Sequence, residues 1–399
     1  MRRSVIAFCL SLLLAGVAPA RDSLNVRLVG RCDSLPNPFT FGVAAHGDYV
    51  YVADYSAGLR VVSVADPEHP TEVGYCDTPG YADGVAVVGD LAYVTDGDSG
   101  LRITSVAVPT SPVEVGHCGT LGYAREVVVV ADYAYVADDS GLSVILVSDP
   151  AHPTEVGRYH TQGAFGVAVA GAYAYVGNNE GLWVVSISDP TQPTAVGHYV
   201  TSGMGVAVQG NYAYVAAAAA GLRVVSIKDP TNPVEVGCLV DSAYPAVRLA
   251  VSGSYVYVVR GLSTGLLVIS VADPVQPVEV GHHYLGSNCV ALSGGYAYVG
   301  SCPSLAILQF YGGGVEESSK PQAPSVKPGL TVVRGVLVLG AVDSRQNTGY
   351  RAELLDAAGR KAADLHPGAN DVSRLGPGVY FIHDAQAQAQ AVRKVIIPR

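Results

Sequence analysis

The chain has 399 residues, 49% apolar and only 15% charged, with 46 glycines. That composition excludes a disordered polymer and suits a large all-β core with many tight turns. The formal net charge of −10, with Arg and Lys scattered, argues against a nucleic-acid partner.

Residues 1–20 carry the marks of a secretory signal peptide. Arg2 and Arg3 precede the apolar run VIAFCLSLLLAGV, and APA at Ala18–Ala20 fits a cleavage site. The run is short for a membrane span, and no later stretch is expected to cross a membrane as a helix. The expectation is an exported protein, secreted or held at the cell surface. Cleavage would leave Cys32, Cys76, Cys118, Cys238, Cys289 and Cys302. The first four occupy nearly equivalent places in separate repeats, too far apart to bond. Cys289 and Cys302 alone could face each other across a hairpin, and their pairing stays open.

From Leu24 onward the sequence is periodic. The second aromatic of YVYVAD, LAYVTD, YAYVAD and their kin falls at Tyr51, Tyr93, Tyr135, Tyr175, Tyr214, Tyr257 and Tyr298, 39 to 43 residues apart. Each period holds four segments of strand length, as in GVAV, LAYVTD, GLRITSV and PVEVGHC. Gly followed by Asp, Asn or Ser separates the first two, as a tight hairpin requires. Turns such as DPEHP and DPTQP separate the last two, where Asp closes an Asx-turn and Pro stops the strand. Four antiparallel strands per period is the pattern of a propeller blade.

First, second and third strands each number seven, the last third strand being LAILQF (Leu305 to Phe310). No DP turn and no outer strand follow it. An outer strand does stand alone at the front, as LNVRLVG (Leu24 to Gly30). Pairing the two ends would close a ring of seven and bury an open edge. The expected fold is therefore all-β: a seven-bladed β-propeller over residues 21–311, closed by the N-terminal strand. A linker (312–329) and a small C-terminal β-sandwich (330–399) follow.

Units such as GLRVVSVADPEHPTEVG and GLRVVSIKDPTNPVEVG resemble LVIVD repeats, a propeller-forming family of bacterial exported and surface proteins. The resemblance runs over residues 24–311 and implies the fold, with no catalytic residues to carry over. VAVPTSP at Val108 departs from the DP turn. The C-terminal part, with LLDAAGR (Leu354 to Arg360), LGPGVYF (Leu375 to Phe381) and the ending RKVIIPR, resembles the sorting domain of type IX secretion substrates. That resemblance implies contact with secretion machinery through residues 330–399. An ordinary Ig-like appendage is the alternative.

Strand order puts the fourth-to-first and second-to-third connections on the rim where the channel opens. These loops vary between blades, whereas the opposite rim is nearly uniform, so a site is expected on the variable rim. Residues preceding the first strands should ring the mouth: Phe41, Asp83, Arg125, Phe165, Met204, Val247 and Asn288, joined by Glu126 and Arg248. They could form a pocket with apolar walls in which Asp83, Arg125 or Arg248 fixes orientation. Equally, the channel could be water-filled, with its charges paired to one another. Trp183, standing where Arg60, Arg102 and Arg223 stand elsewhere, could anchor a sugar or protein on the rim or pack on its neighbour.

The histidines do not converge, and no GxSxG, HExxH, P-loop or CxxC is present. Asp96 and Asp98 could begin a calcium loop, but an Asx-turn explains Asp96 together with Asp54, Asp138 and Asn178. No cofactor, metal or catalytic residue is assigned. The expected function is non-enzymatic recognition of a protein or glycan ligand by the variable rim. The alternatives are a lyase, lactonase or glycan-cleaving propeller acting at the mouth, or a structural surface-layer component.

Overall fold

Seven four-stranded antiparallel sheets follow one another along residues 26–310. They are seen in a computed structural model that describes residues 23–37, 39–240, 245–261, 265–301 and 304–311, and seven strand segments between residues 331 and 397. The signal-like segment, the linker and Cys302 lie outside the described residues. Contacts divide the chain into residues 1–316 and 317–399. Among the described residues no helix is long and apolar enough to cross a membrane.

Blades 1 to 6 comprise residues 42–76, 84–118, 124–160, 166–200, 205–239 and 248–283. Blade 7 is residues 289–310 completed by Val26–Cys32, whose register pairs Val26 with Phe310 and Cys32 with Leu305. The first strand of every blade packs against those of both neighbours, and Cys289–Ser293 packs against Gly42–His46, which closes the ring. A separate apolar cluster fills each of the seven interfaces. This explains why third strands such as Leu222–Ser226 are apolar on both faces: each blade is a middle layer.

The turns behave as their residues dictate. Hairpin glycines 47, 89, 171, 210, 253 and 294 have φ of 57° to 60°, and Ala131 takes the same place in blade 3 at φ 51°. A positive first central residue matches the right-handed twist of the strands it joins. In blade 2, Val108 replaces the usual turn Asp, yet the turn persists, with Ser111 N–H donating to the Val108 carbonyl at 2.8 Å.

The recurrent EVG of the outer strands has a steric cause. A methyl group at Gly74 would lie 2.2 Å from the Pro109 carbonyl in the turn of the next blade, and Gly116, Gly157, Gly197 and Gly237 face the same contact with Pro150, Pro190, Pro230 and Pro274. Each outer strand also bulges at the preceding residue, Val73 in blade 1 and Val29 in blade 7, which bends it onto its neighbour. Among the described residues blade 7 has no such turn to offer Gly281. The carbonyl of Leu24 takes its place, 2.9 Å from where a Cβ would stand. Leu24 and His282 exchange backbone hydrogen bonds of 3.0 and 2.9 Å, and Asn25 Nδ2 donates to the Val280 carbonyl at 2.8 Å.

The second unit contains two antiparallel sheets. One orders Thr331–Val333, Val336–Leu339 and Gly368–Asp371; the other orders Lys361–Leu365, Ala352–Asp356, Gly378–Asp384 and Arg393–Ile397.

Candidate functional site

At the start of the first strand four blades carry glycine, at 42, 84, 166 and 205, and the others carry Glu126, Arg248 and Cys289. At Gly84 glycine is required by crowding, since a Cβ there would lie 2.7 Å from the Arg125 carbonyl of the next blade. The two long side chains meet across the ring. Arg248 Nη1, from blade 6, lies 3.2 Å from Glu126 Oε2, from blade 3. The same oxygen accepts from the Val167 N–H at 3.2 Å. Burial pushes the Glu126 carboxyl up, while Arg248 and the Val167 N–H pull it back. These two charges are paired to one another across the channel.

One layer out, the predicted ring is held by backbone bonds to the second strands. Phe41, Asp83, Phe165, Met204, Val247 and Asn288 each donate N–H to residues 53, 95, 177, 216, 259 and 300, at 2.8 to 3.1 Å. Asp83 is 7% exposed, and no hydrogen bond reaches its carboxyl among the described residues. Burial pushes that carboxyl up to about 6, against the opposing influence of Arg248 and Arg125. Arg125 has partners of its own. Its Nη2 pairs with Asp139 Oδ1 at 2.7 Å, and its guanidinium lies over the rings of Tyr123 and Phe165. Cys289 Sγ donates to the Thr40 carbonyl at 3.7 Å.

The larger feature on this rim was not anticipated. Phe39, Phe41, Tyr55 and Tyr81 form a continuous aromatic arc, with centroids 6.3, 5.4 and 4.4 Å apart along it. The last pair is parallel within 11°. Tyr55 has φ 50°, left-handed backbone that the equivalent Gly97 and Gly261 adopt without a side chain and Ala218 with only a methyl. A non-glycine residue there costs about 1–2 kcal/mol, and local strain of this kind concentrates at functional positions. Tyr55 and Ala82 exchange backbone hydrogen bonds of 3.0 and 2.9 Å, fixing the arc to the next blade. A tyrosine where other repeats place glycine, YVADYSAG against YVTDGDSG, was the available sequence signal.

Two expectations are corrected. Asp138 and Asn178 do accept from N–H groups two residues on, in Asx-turns. Asp54 and Asp96 do not. Asp54 Oδ2 accepts from Asn37 N–H at 3.1 Å, and Asp96 accepts from Thr78 Oγ1 and Gly80 N–H at 2.6 and 2.8 Å. They clamp the loop arriving from the previous blade, because that loop brings unsatisfied donors to a buried carboxylate. Trp183 is not an exposed rim anchor. It is half-buried, stacked on His198 at 3.9 Å and tilted against Tyr159. The Arg60, Arg102 and Arg223 it replaces pair with Glu72, Glu114 and Glu235, whereas blade 4 has Ala195 there. Lacking the acid, the site is filled by an apolar ring.

The LVIVD repeat family matches residues 40–78, 79–120, 121–161, 163–201, 202–240, 245–284 and 287–308, well over half of the chain. No curated protein matches in sequence. Among solved structures, a chain of the mitotic checkpoint complex aligns with TM-score 0.57 and 14% identity, over 74% of this chain and 95% of that one. A computationally designed protein aligns with TM-score 0.53 and 10% identity, over 68% and 83%. BamB from Moraxella catarrhalis aligns with TM-score 0.49 and 11% identity, over 67% and 81%. Identities this low speak for fold alone.

Proposed function

This chain belongs to the LVIVD-repeat family, and we propose that it is a non-enzymatic recognition protein whose ligand docks on the aromatic rim of blades 1 to 4. The observation that carries this reading is Tyr55, held in a strained backbone conformation between Phe41 and Tyr81. Nothing in blade packing demands an aromatic there, since blades 2 and 6 use glycine. The proposal includes export by residues 1–20 and surface attachment through a β-sandwich of type IX sorting character at residues 330–399. The test is retention of the purified full chain on protein and oligosaccharide arrays. Joint alanine substitution of Phe41, Tyr55, Tyr81 and Phe165 abolishes retention, and alanines at the uniform turns (Glu68, Thr191, Thr231) leave it unchanged. Equal retention of the two variants would overturn the reading.

A second reading, a propeller enzyme at the channel mouth, draws on Asp83. A buried carboxyl raised to about 6 lies in the range useful for general acid work. Turnover of a retained ligand that disappears in Asp83→Ala would move the assignment there.

A further inference from the structure

Between blades 1 and 2, on the same rim, lies an open groove of about 410 Å³ lined by residues 78–81 of the connecting loop together with Ser56, Asp98 and Ser99. One wall is aromatic. Tyr81 is 43% exposed, and Tyr55 stacks on one face of its ring, so the ring stands as a supported platform. Pro79 adds a second apolar ring, and the remaining lining is short: Ser56, Thr78, Gly80, Asp98 and Ser99. Thr78 and Gly80 are clamped from beneath by the buried carboxylate of Asp96, and Ser56 Oγ accepts from Asn37 Nδ2 at 2.7 Å. Asp98 is exposed, and its carboxylate takes no partner among the described residues. The groove therefore offers apolar surface at Tyr81 and Pro79 and a free charged acceptor at Asp98.

We infer that this groove is a subsite for a neutral sugar ring, stacked on Tyr81 with its hydroxyls donating to Asp98. The inference rests on the rim-recognition reading and names its ligand class. A pyranose has an apolar C–H face and a rim of hydroxyls, which matches an apolar platform and a carboxylate acceptor. An aliphatic peptide side chain would leave Asp98 desolvated without a donor. An anionic sugar would meet like charge from Asp98, in a chain already carrying a net charge of −10. Tyr55 is a positioning residue: it holds Tyr81 by stacking and does not itself line the groove.

The full chain is tested on an array of neutral and acidic oligosaccharides, followed by titration calorimetry with the best-retained neutral compound. Tyr81→Ala and Asp98→Ala each weaken binding at least 10-fold. Tyr55→Gly, which relieves the left-handed strain, weakens binding while leaving the melting temperature equal or higher; a purely structural role would instead lower it. Tyr311→Ala, an exposed ring in blade 7, changes nothing. Retention of acidic oligosaccharides only, or neutral binding indifferent to Tyr81→Ala and Asp98→Ala, overturns the inference. If only the protein array retains the chain, and the joint rim substitution abolishes that, the sugar assignment falls while rim recognition stands. Silence on both arrays overturns both.

Discussion

Arg248 Nη1 and Glu126 Oε2, 3.2 Å apart, join blade 6 to blade 3 across the centre of the ring. The side chains are 18% and 28% exposed, respectively, so the pair is neither a surface contact nor fully dry. Removing one partner should strand the other charge in the channel, and Arg248→Met or Glu126→Leu alone should cost about 1–3 kcal/mol. The double variant should recover most of that loss. Urea unfolding of the four proteins in a double-mutant cycle measures the coupling. Additive losses would show that the pair contributes nothing.

The ring closes through residues that come first in the chain. Val26 is buried, and Leu24 stands in for the missing turn of blade 7. Deleting Leu24 to Arg31 should remove about 3 kcal/mol or more, because it uncovers Val26's partners and opens a sheet edge. Thermal unfolding against the parent chain is the measurement. An unchanged melting temperature would mean that the third strand of blade 7 does not need its partner.

Asp83 should make stability fall with rising pH. Its folded carboxyl titrates near 6, whereas an unfolded carboxyl titrates at about 3.9, so the folded state holds the proton more tightly. Its contribution is whole below about pH 4 and is lost as pH rises through about 6. Asp83→Asn should flatten that decline and exceed the parent in stability at pH 7.5, by at most about 3 kcal/mol. Unfolding curves between pH 4 and 8 decide it, and a parent chain that gains stability over that window would contradict the assignment.

Two positions break the repeat without an evident return. Ala131 adopts the left-handed conformation that six other blades give to glycine, and Ala131→Gly should stabilise by about 0.5–1 kcal/mol. Val108, 58% exposed, sits where Asp66, Asp149 and Asp189 accept a backbone N–H two residues on. Val108→Asp should add about 0.5–1 kcal/mol. Chemical denaturation midpoints test both, and a loss at either would show that the local turn is not what limits the blade.

The blades, their number and their order were legible because each strand repeats a local rule. Alternating β-branched residues, hairpin glycines and Asp-Pro turns act within a few residues, and counting them exposed the unpaired outer strand at Leu24. The mouth ring was legible for the same reason, since one residue precedes each first strand. Its chemistry was not. That Arg125 turns onto Phe165 and Asp139, while Arg248 crosses to Glu126, depends on distances between blades. So does the clamping of the arriving loops by Asp54 and Asp96, which local turn rules assigned to their own turns.

The sequence by itself determined the ring: a period of four strands, and an N-terminal strand that must return to the last blade. Only the tertiary structure decided the aromatic arc. Phe39 and Phe41 share one loop, Tyr55 and Tyr81 come from two others, and Tyr55 gives no hydrophobic period because it stands in a turn. The curvature of the ring sets those loops side by side, and the left-handed backbone at Tyr55 aims its ring at Tyr81. Stacking acts through space over a few ångströms, so it becomes visible only when the blades are in place.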